Sequence, residues 1–288
     1  MNDPLSGVVG KVLKEVGLHG GTIALGLSGG MDSVVLLDVL DRLRATGDFR
    51  LRAVHVNHQI SPHADSWAAF CAQLCETLAV PLHVERVTVR RDGKGLEAAA
   101  RGARYRAFAE VDADVLALAH HLDDQAETGL LQALRGAGLK GISGMPVVKK
   151  SRQDPHKIIV RPLLAVASSA IAAYAAQYKL DWIEDESNDD TRFFRNYLRH
   201  EVLPRIAAHA PHYRDSLTRL AQHAAEAQQL LDELGGDAAM FTTHEGRVLA
   251  AVRRHPKFKQ EEFESAGAAS IQQAAQEEEL RLEGRDAV

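Results

Sequence analysis

The sequence predicts an α/β protein, a parallel sheet with helices on both faces, joined to a smaller α-helical C-terminal domain. Three observations carry this. Short apolar, β-branched runs alternate with segments of helical periodicity between residue 22 and about residue 135. The first of those runs passes into a helix through the turn Ser28-Gly29-Gly30. Beyond residue 190 only helical patterns remain. Strands that alternate with helices must be joined by crossovers, which gives a parallel sheet covered on both sides.

In chain order, residues 8–18 read as a short amphipathic lead-in helix and 22–28 as the first strand. After the Ser-Gly-Gly turn, Val34 to Leu43 carry helical periodicity. Residues 50–57 are strand-like by β-branched content and partial alternation. A helix over 63–79 leads to a strand over 81–89, a helix over 96–111 and a fully apolar strand over 115–119. A helix follows from about Asp123 to Arg135. Residues 136–157 break the alternation: Gly136, Gly138, Gly141 and Gly144 punctuate them, and Lys140, Lys149, Lys150, Arg152 and Lys157 make them basic. Residues 158–164 read as a short edge strand, 167–179 as a helix, 181–190 as an acidic loop and 192–206 as one helix with Pro204 near its end. An Ala/Leu/Gln-rich helix spans 212 to about 234. The domains expected are a catalytic domain over 1–206, a helical domain over 207–258 and an acidic tail over 259–288.

Composition is that of an ordinary globular protein, 45% hydrophobic and 25% charged over 288 residues. No basic-then-apolar leader and no apolar run of membrane-spanning length is present, so a cytoplasmic protein without a membrane partner is expected. The two cysteines, Cys71 and Cys75, share one predicted helix and read as core thiols. The net charge of −5 is concentrated from Lys259 onward, where eight acids face three bases. The rest of the chain is neutral, so nucleic-acid binding would rest on local basic patches.

Chemistry concentrates where the strands end, which is where ligands bind in such sheets. In the stretch Ser28-Gly29-Gly30-Met31-Asp32-Ser33, the paired glycines let the backbone approach a ligand closely, and the first N–H groups of the next helix point at it. Ser28 and Ser33 add hydroxyls. A bare Asp32 would repel phosphate, so it reads as a ligand for a Mg²⁺ ion bridging phosphate oxygens. The turn lacks the lysine of a Walker A loop. A tight turn in which Asp32 merely caps the helix is the plainer alternative, and the full Ser-Gly-Gly-x-Asp-Ser pattern in strand–helix context outweighs it.

Four further constellations stand out. His55-x-Asn57-His58 follows the second strand and can line an adenine and ribose pocket. Glu97, Arg101 and Tyr105 share one helical face, either as a plain surface ion pair or as an amine-binding acid beside a phosphate-steadying arginine. His120-His121-Leu-Asp123-Asp124-Gln-Ala-Glu127 puts two histidines and three acids at the end of a buried strand, either as helix-dipole partners or as a site. Arg192, Arg195 and Arg199 fall on one face of the predicted 192–206 helix, a solvated face or a stripe for RNA phosphates.

The Ser-Gly-Gly-x-Asp-Ser loop resembles that of the N-type ATP pyrophosphatases, the pyrophosphate-loop family. The chain also resembles the tRNA(Ile)-lysidine synthetases through His55-Val-Asn-His58, Glu97-(x)3-Arg101-(x)2-Arg104-Tyr105, His120-His121-x-Asp-Asp124-Gln-x-Glu127-Thr128 and Arg135-Gly-x-Gly-Leu-x-Gly141. Arg161-Pro162-Leu-Leu164 and Glu184-Asp185 through Arg195-Asn196 to Arg199 extend the likeness over about residues 20–206.

The resemblance implies an adenine-nucleotide α-hydrolase-like fold and an enzyme that uses ATP and Mg²⁺. Its implied reaction joins free lysine to the wobble cytidine of tRNA(Ile): the cytosine 2-carbonyl is adenylated with loss of pyrophosphate, and the lysine amine then displaces AMP. On this basis Ser28 through Ser33 and His55 are expected to bind ATP, and Asp32 the metal. Asp32, Arg101, Arg104, Asp123 and Glu127 are expected to be catalytic. Glu97, Asp123, Asp124, Glu127, Arg192, Arg195 and Arg199 are expected to bind lysine or tRNA, and a homodimer is among the assemblies admitted. Two departures are visible: Gln59-Ile60-Ser61 stands where the family usually has Gly-Leu-Arg, and the acidic tail does not resemble the further tRNA-binding domain of many members. The rivals are a tRNA thiolase, which Cys71 and Cys75 fit badly, an amidating ligase, and an ATP-sensing module without catalysis.

Overall fold

The computed structural model describes residues 3–88 and 96–234. Six strands lie in the order β3-β2-β1-β4-β6-β5. Helix α1 (Pro4–Val16) opens with Asp3 capping Ser6 N–H at 2.7 Å and Pro4 in the first turn, and it stops at Gly17 in the left-handed region. The Asp-Pro pair is therefore a helix start, four residues ahead of the predicted one. Strand β1 (Gly21–Gly26) leads to α2 (Met31–Arg44), β2 (Phe49–Asn57), α3 (Ala64–Thr77) and β3 (Leu82–Arg86). The chain then recrosses through α4 (Leu96–Glu110) to β4 (Val115–Ala117), which pairs with the other side of β1. β1 and β4 thus flank the point where strand order reverses, and ligands of open α/β sheets bind at such a point.

Alternation along β1 sends Ile23 and Leu25 to one face and Ala24 to the other. The first face packs α1, α2 and later helices through Val9, Leu36, Leu40 and Ile171. The second packs α4 through Phe108 and Val111 against Ala24, Val54, Leu116 and Ile159. Gly26 lies under that contact, where a Cβ would stand 3.0 Å from Phe108 Cζ. Both faces are covered, as predicted. The two cysteines are free and buried, and burial pushes their thiols up, Cys71 to about 12 and Cys75 to about 11, so they pack as core groups.

Beyond α5 (Leu122–Leu134) come a single turn α6 (Leu139–Ile142), strand β5 (Val148–Lys150), strand β6 (Ile158–Val160) and α7 (Ser168–Tyr178). Here the expectation of an edge strand over 158–164 is corrected. β6 is internal, parallel to β4, and the edge is the unpredicted β5, antiparallel to β6. Arg161 N still donates to Val147 O at 2.8 Å, and residues 162–165 instead form a turn. A bidentate amide pair fastens the glycine-rich connection, with Gln125 Nε2 donating to Met145 O at 3.0 Å and Met145 N donating to Gln125 Oε1 at 2.8 Å. Lys157 is buried, and its Nζ donates to Phe108, Ala109 and Val111 carbonyls at 2.6–3.0 Å, capping the end of α4.

The single helix expected over 192–206 is also corrected. It is α8 (Phe194–Tyr197), a π-helical turn (Leu198–Val202) and α9 (Leu203–His209), with Pro204 in the first turn of α9. Pro204 has no N–H to give to His200 O, and the wider turn absorbs the missing bond. Helix α10 (Tyr213–Leu234) follows. Leu203 and Tyr213 pack on Ala126 of α5. The described residues through Ala225 belong to one compact unit, and Glu226–Leu234 to a second. Among the described residues no helix is long and apolar enough to cross a membrane. The acidic tail over 259–288 lies outside the described residues.

Candidate functional site

The loop between β1 and α2 is built by its own side chains. Ser33 Oγ donates to Gly30 O at 2.9 Å and accepts from Gly29 N at 3.2 Å, while Ser28 Oγ lies 3.1 Å from Ser33 Oγ and accepts from Gly30 N at 3.3 Å. Gly29 has φ +93°, and a Cβ there would collide with Ile183 Cδ1 and lie 3.2 Å from Cys71 Sγ. Glycine is required on both counts. Gly30 is the N-cap of α2 and lays no side chain over the helix's first N–H groups, with Met31 as the first helical residue. A concave run of backbone donors at a helix start suits phosphate oxygens.

His55 lies beneath this loop. It is buried, with Nδ1 2.9 Å from Leu27 O, and burial lowers its pKa against that bond. The ring is neutral and donates to the strand end before Ser28. It supports the strand end that leads into the loop.

Asp32 points to the other strand end. Its Oδ2 lies 3.6 Å from His121 Nε2, and its Oδ1 is buried without a hydrogen-bond partner. A buried carboxylate oxygen with no donor is costly unless a cation meets it, so the position fits a metal. Among the described residues no three His, Cys, Asp or Glu side chains form a metal cage. One carboxylate is sufficient where substrate phosphates and water complete the coordination, which is how Mg²⁺ is commonly held.

The acids of α5 are paired with arginines. Glu127 is almost wholly buried. Its Oε2 accepts from Arg195 Nε and from Arg199 Nη2, both at 2.9 Å, and its Oε1 accepts from Arg199 Nε at 2.6 Å. Asp124 Oδ1 accepts from Arg195 Nη2 at 3.0 Å and Arg199 Nη2 at 3.3 Å, and its Oδ2 accepts from His121 N–H at 3.1 Å. Asp123 accepts from Ser168 N at 3.0 Å and holds Arg214 in a tight ion pair. His121 sits among Asp32, Asp124 and Asp123 at 3.6–3.8 Å. Burial works against its charge, but the three carboxylates prevail and raise its pKa.

On the α4 face of the same strand ends the field is reversed. Arg161 follows β6, is 1% exposed, donates Nη1–H to Pro146 O at 2.8 Å and lowers the pKa of the nearby Tyr105 hydroxyl against its burial. Lys149 Nζ and Arg101 Cζ stand 5.8 Å and 5.9 Å from the Tyr105 ring centroid. His120 is pushed down to about 3, first by burial and then by Arg161, Arg104, Arg195 and Arg101. Burial, Arg104 and His55 likewise lower His58.

Of the residues picked from the sequence, Ser28–Ser33, Asp32, Asp123, Asp124, Glu127, Arg195 and Arg199 converge on the ends of β1 and β4. Arg101 and Arg104 stand across the sheet on α4. The side chain of Glu97 lies outside the described residues. Arg192 does not join Arg195 and Arg199. It precedes α8, is 90% exposed, and pairs with Asp190 at 2.8 Å, so the expected three-arginine face is not formed. Arg195 and Arg199 turn inward to carboxylates, and Glu127 and Asp123 hold guanidinium groups where open acids were expected. Arg161, Lys149, His121 and Arg214 carry much of the local charge and had no assigned role. For His121 the signal was present, since neighbours on a strand face opposite sides.

Gln59 gives a physical account of one departure noted above. It has φ +54°, where glycine is at ease, and Asn57 Oδ1 accepts its N–H at 2.9 Å to hold the turn.

A family model described as the PP-loop domain matches residues 5–206. Curated relatives include a tRNA(Ile)-lysidine synthase of Chromobacterium violaceum, 49% identical over 212 residues, covering 73% of this chain and 48% of that one. Another, of Burkholderia mallei, is 49% identical over 235 residues, covering 79% and 47%. The chain spans about half the length of the curated relatives it matches. Among solved structures, a U34-tRNA thiolase of Methanococcus maripaludis with its [4Fe-4S] cluster aligns with a TM-score of 0.64 at 20% identity, over 77% of this chain and 78% of that one, which speaks for the fold alone.

Proposed function

The chain belongs to the PP-loop domain family, and from that premise we propose that it is an ATP-dependent ligase that attaches lysine to the wobble cytidine of tRNA(Ile). The observation that carries the proposal is the joining of two parts at one sheet edge. The glycine loop with orphaned Asp32 Oδ1 suits a nucleotide triphosphate and its metal, and His121 links it to the acid–arginine cluster, its Nε2 lying 3.6 Å from both Asp32 Oδ2 and Asp124 Oδ2. The likeness to tRNA(Ile)-lysidine synthases over about three quarters of the chain supports the choice of substrate.

In this account Ser28, Ser33 and the backbone from Gly29 to Asp32 receive the pyrophosphate that leaves when the cytosine 2-carbonyl oxygen takes the AMP group. That oxygen is a poor leaving group, and adenylation makes it a good one. Asp32 would hold Mg²⁺, which when bound neutralises charge on phosphate oxygens. Arg195 and Arg199, fixed by Glu127 and Asp124, set positive charge beside the loop without searching for a rotamer. Arg101 and Arg104 steady phosphate or nucleobase from the α4 side. Lysine's ammonium groups are assigned to Asp123, Asp124, Glu127 and Glu97. Because Asp123 holds Arg214, an ammonium meets it by exchange with that guanidinium, while Glu127 and Asp124 keep Arg195 and Arg199 and add negative charge nearby. Residues 1–206 would form the catalytic domain, 207–258 a helical domain and 259–288 an acidic tail, in a cytoplasmic protein that meets tRNA.

The test is transfer of labelled lysine to a tRNA(Ile) transcript with ATP and Mg²⁺. Label in the RNA, with one AMP and one pyrophosphate for each lysine, is expected. AMP formation without label would refute the lysine assignment, and no turnover of ATP with the transcript would refute the reaction.

A further inference from the structure

We propose that Tyr105, Lys149 and Arg161 form a phosphate subsite on the α4 face of the strand ends, separate from the Ser28–Ser33 loop. The inference rests on the functional proposal above only in its choice of an RNA probe.

Arg161 is the anchor. It is buried to 1% exposure with Nε orphaned, and its Nη1–H donates to Pro146 O at 2.8 Å. The Tyr105 hydroxyl stands within electrostatic reach of the guanidinium and brings an O–H that can donate to a ligand. Tyr105 is only half-buried, as is Lys149, so both reach solvent-accessible space above the buried guanidinium. Register places Lys149 there: it pairs with Ile159, whose side chain belongs to the α4 face, while Val148 and Lys150 alternate away. Lys149 Nζ lies 5.8 Å from the Tyr105 ring centroid, and Arg101 stands at the rim.

The balance of charge selects the ligand. Around Arg161 and Lys149 the charged neighbours are Arg101, Arg152 and each other, and among the described residues no carboxylate offsets them. Burial and the neighbouring cations hold Lys149 and Arg161 below their ordinary pKa values, and nearby His120 stays neutral. Concentrated positive charge with donors and, among the described residues, no acid calls for an anion that accepts hydrogen bonds, and a phosphate meets both demands. A neutral carbonyl would satisfy the donors and leave the charge.

The phosphate can come from the RNA backbone or from the nucleotide. The test measures the dissociation constants of the full chain for an anticodon stem-loop RNA bearing the wobble cytidine, across salt concentrations, and for ATP with Mg²⁺. Lys149→Gln is expected to weaken RNA binding about tenfold. It should also reduce the slope of log affinity on log salt by about 0.7, the loss of one single-strand phosphate contact. Tyr105→Phe removes a donor but no charge, so it should weaken binding about three- to fivefold at an unchanged slope. A merely structural role would not separate the two variants by slope, and their melting temperatures check that both fold. Weakened ATP binding with unchanged RNA binding would support the subsite and assign its phosphate to the nucleotide. Unchanged affinity for both ligands in both variants would overturn it. Should the wild type bind no RNA, the RNA substrate is wrong, and the ATP arm alone decides the subsite.

Discussion

His120 and His121 are consecutive residues at the end of one strand and meet opposite fields. His121 faces Asp32, Asp123 and Asp124, which draw it toward the imidazolium, while burial and four arginines hold His120 neutral. Strand alternation is the cause, since one step along the chain crosses from the α5 side of the sheet edge to the α4 side. On the α5 side, Glu127 and Asp124 match Arg195 and Arg199 nearly charge for charge. On the α4 side, Arg161 and Lys149 have no acid beside them among the described residues. A matched network fixes geometry, and an unmatched one waits for a ligand. We read the first as the frame around the loop and the second as a receptor for phosphate.

The largest test of the contrast is Asp32→Ala, which removes the one loop carboxylate with an orphaned buried oxygen. Pyrophosphate release should fall by about 10²–10³-fold, while the melting temperature stays near that of the parent.

Stability should then separate the two sides. Glu127→Leu leaves two arginines, 27% and 36% exposed, with Asp124 as their one shared acid, so the loss expected for a buried pair is discounted to about 2–3 kcal/mol. Denaturant unfolding would read that loss. Arg161→Met removes a buried charge that has no acid, and a change under about 1 kcal/mol is expected, because lost hydrogen bonds are offset by relief of desolvation. Equal losses at the two positions would break the comparison.

His120 sharpens it further. With its folded pKa at about 3, the unfolded chain binds the extra proton between about pH 6.5 and 3. Stability therefore falls as pH falls through that window, and His120→Asn should flatten this part of the profile. Ring chemical shifts of His120 that titrate near pH 6.5 would contradict the field assigned to the α4 side.

The smallest effect concerns Gln59. Replacing it with glycine relieves a left-handed backbone at some entropic cost, and a gain of about 0.5–1 kcal/mol is expected in thermal unfolding.

Sheet, crossovers and glycine loop were legible because their signals are local: apolar runs, alternation, a Gly-Gly turn before a helical period. The sequence order of the chemistry-bearing segments, read with the rule that ligands gather at strand ends, also brought the loop and the residues from His120 to Glu127 to one edge. What was not legible depends on distant partners. Strand β5 is three residues long and exists because Ile158–Val160 offers it an edge. The break of the 192–206 helix follows from Pro204, whose missing N–H is a local signal that the helical periodicity around it masks. Arg195 and Arg199 have the spacing of a surface stripe, and only the position of α5 turns them inward to Glu127. Arg161 sits in a run that looks like strand and turn, and nothing near it in sequence shows that Tyr105, 56 positions earlier, is its electrostatic neighbour.

The central claim is that this sheet edge couples ATP cleavage to one RNA base. It is tested most directly by mixing the protein with ATP, Mg²⁺, lysine and either a tRNA(Ile) transcript with cytidine at the wobble position or the same transcript with uridine there, and measuring pyrophosphate. The account predicts release with the cytidine transcript and little above background with uridine or without RNA. Equal release in all three mixtures would contradict it.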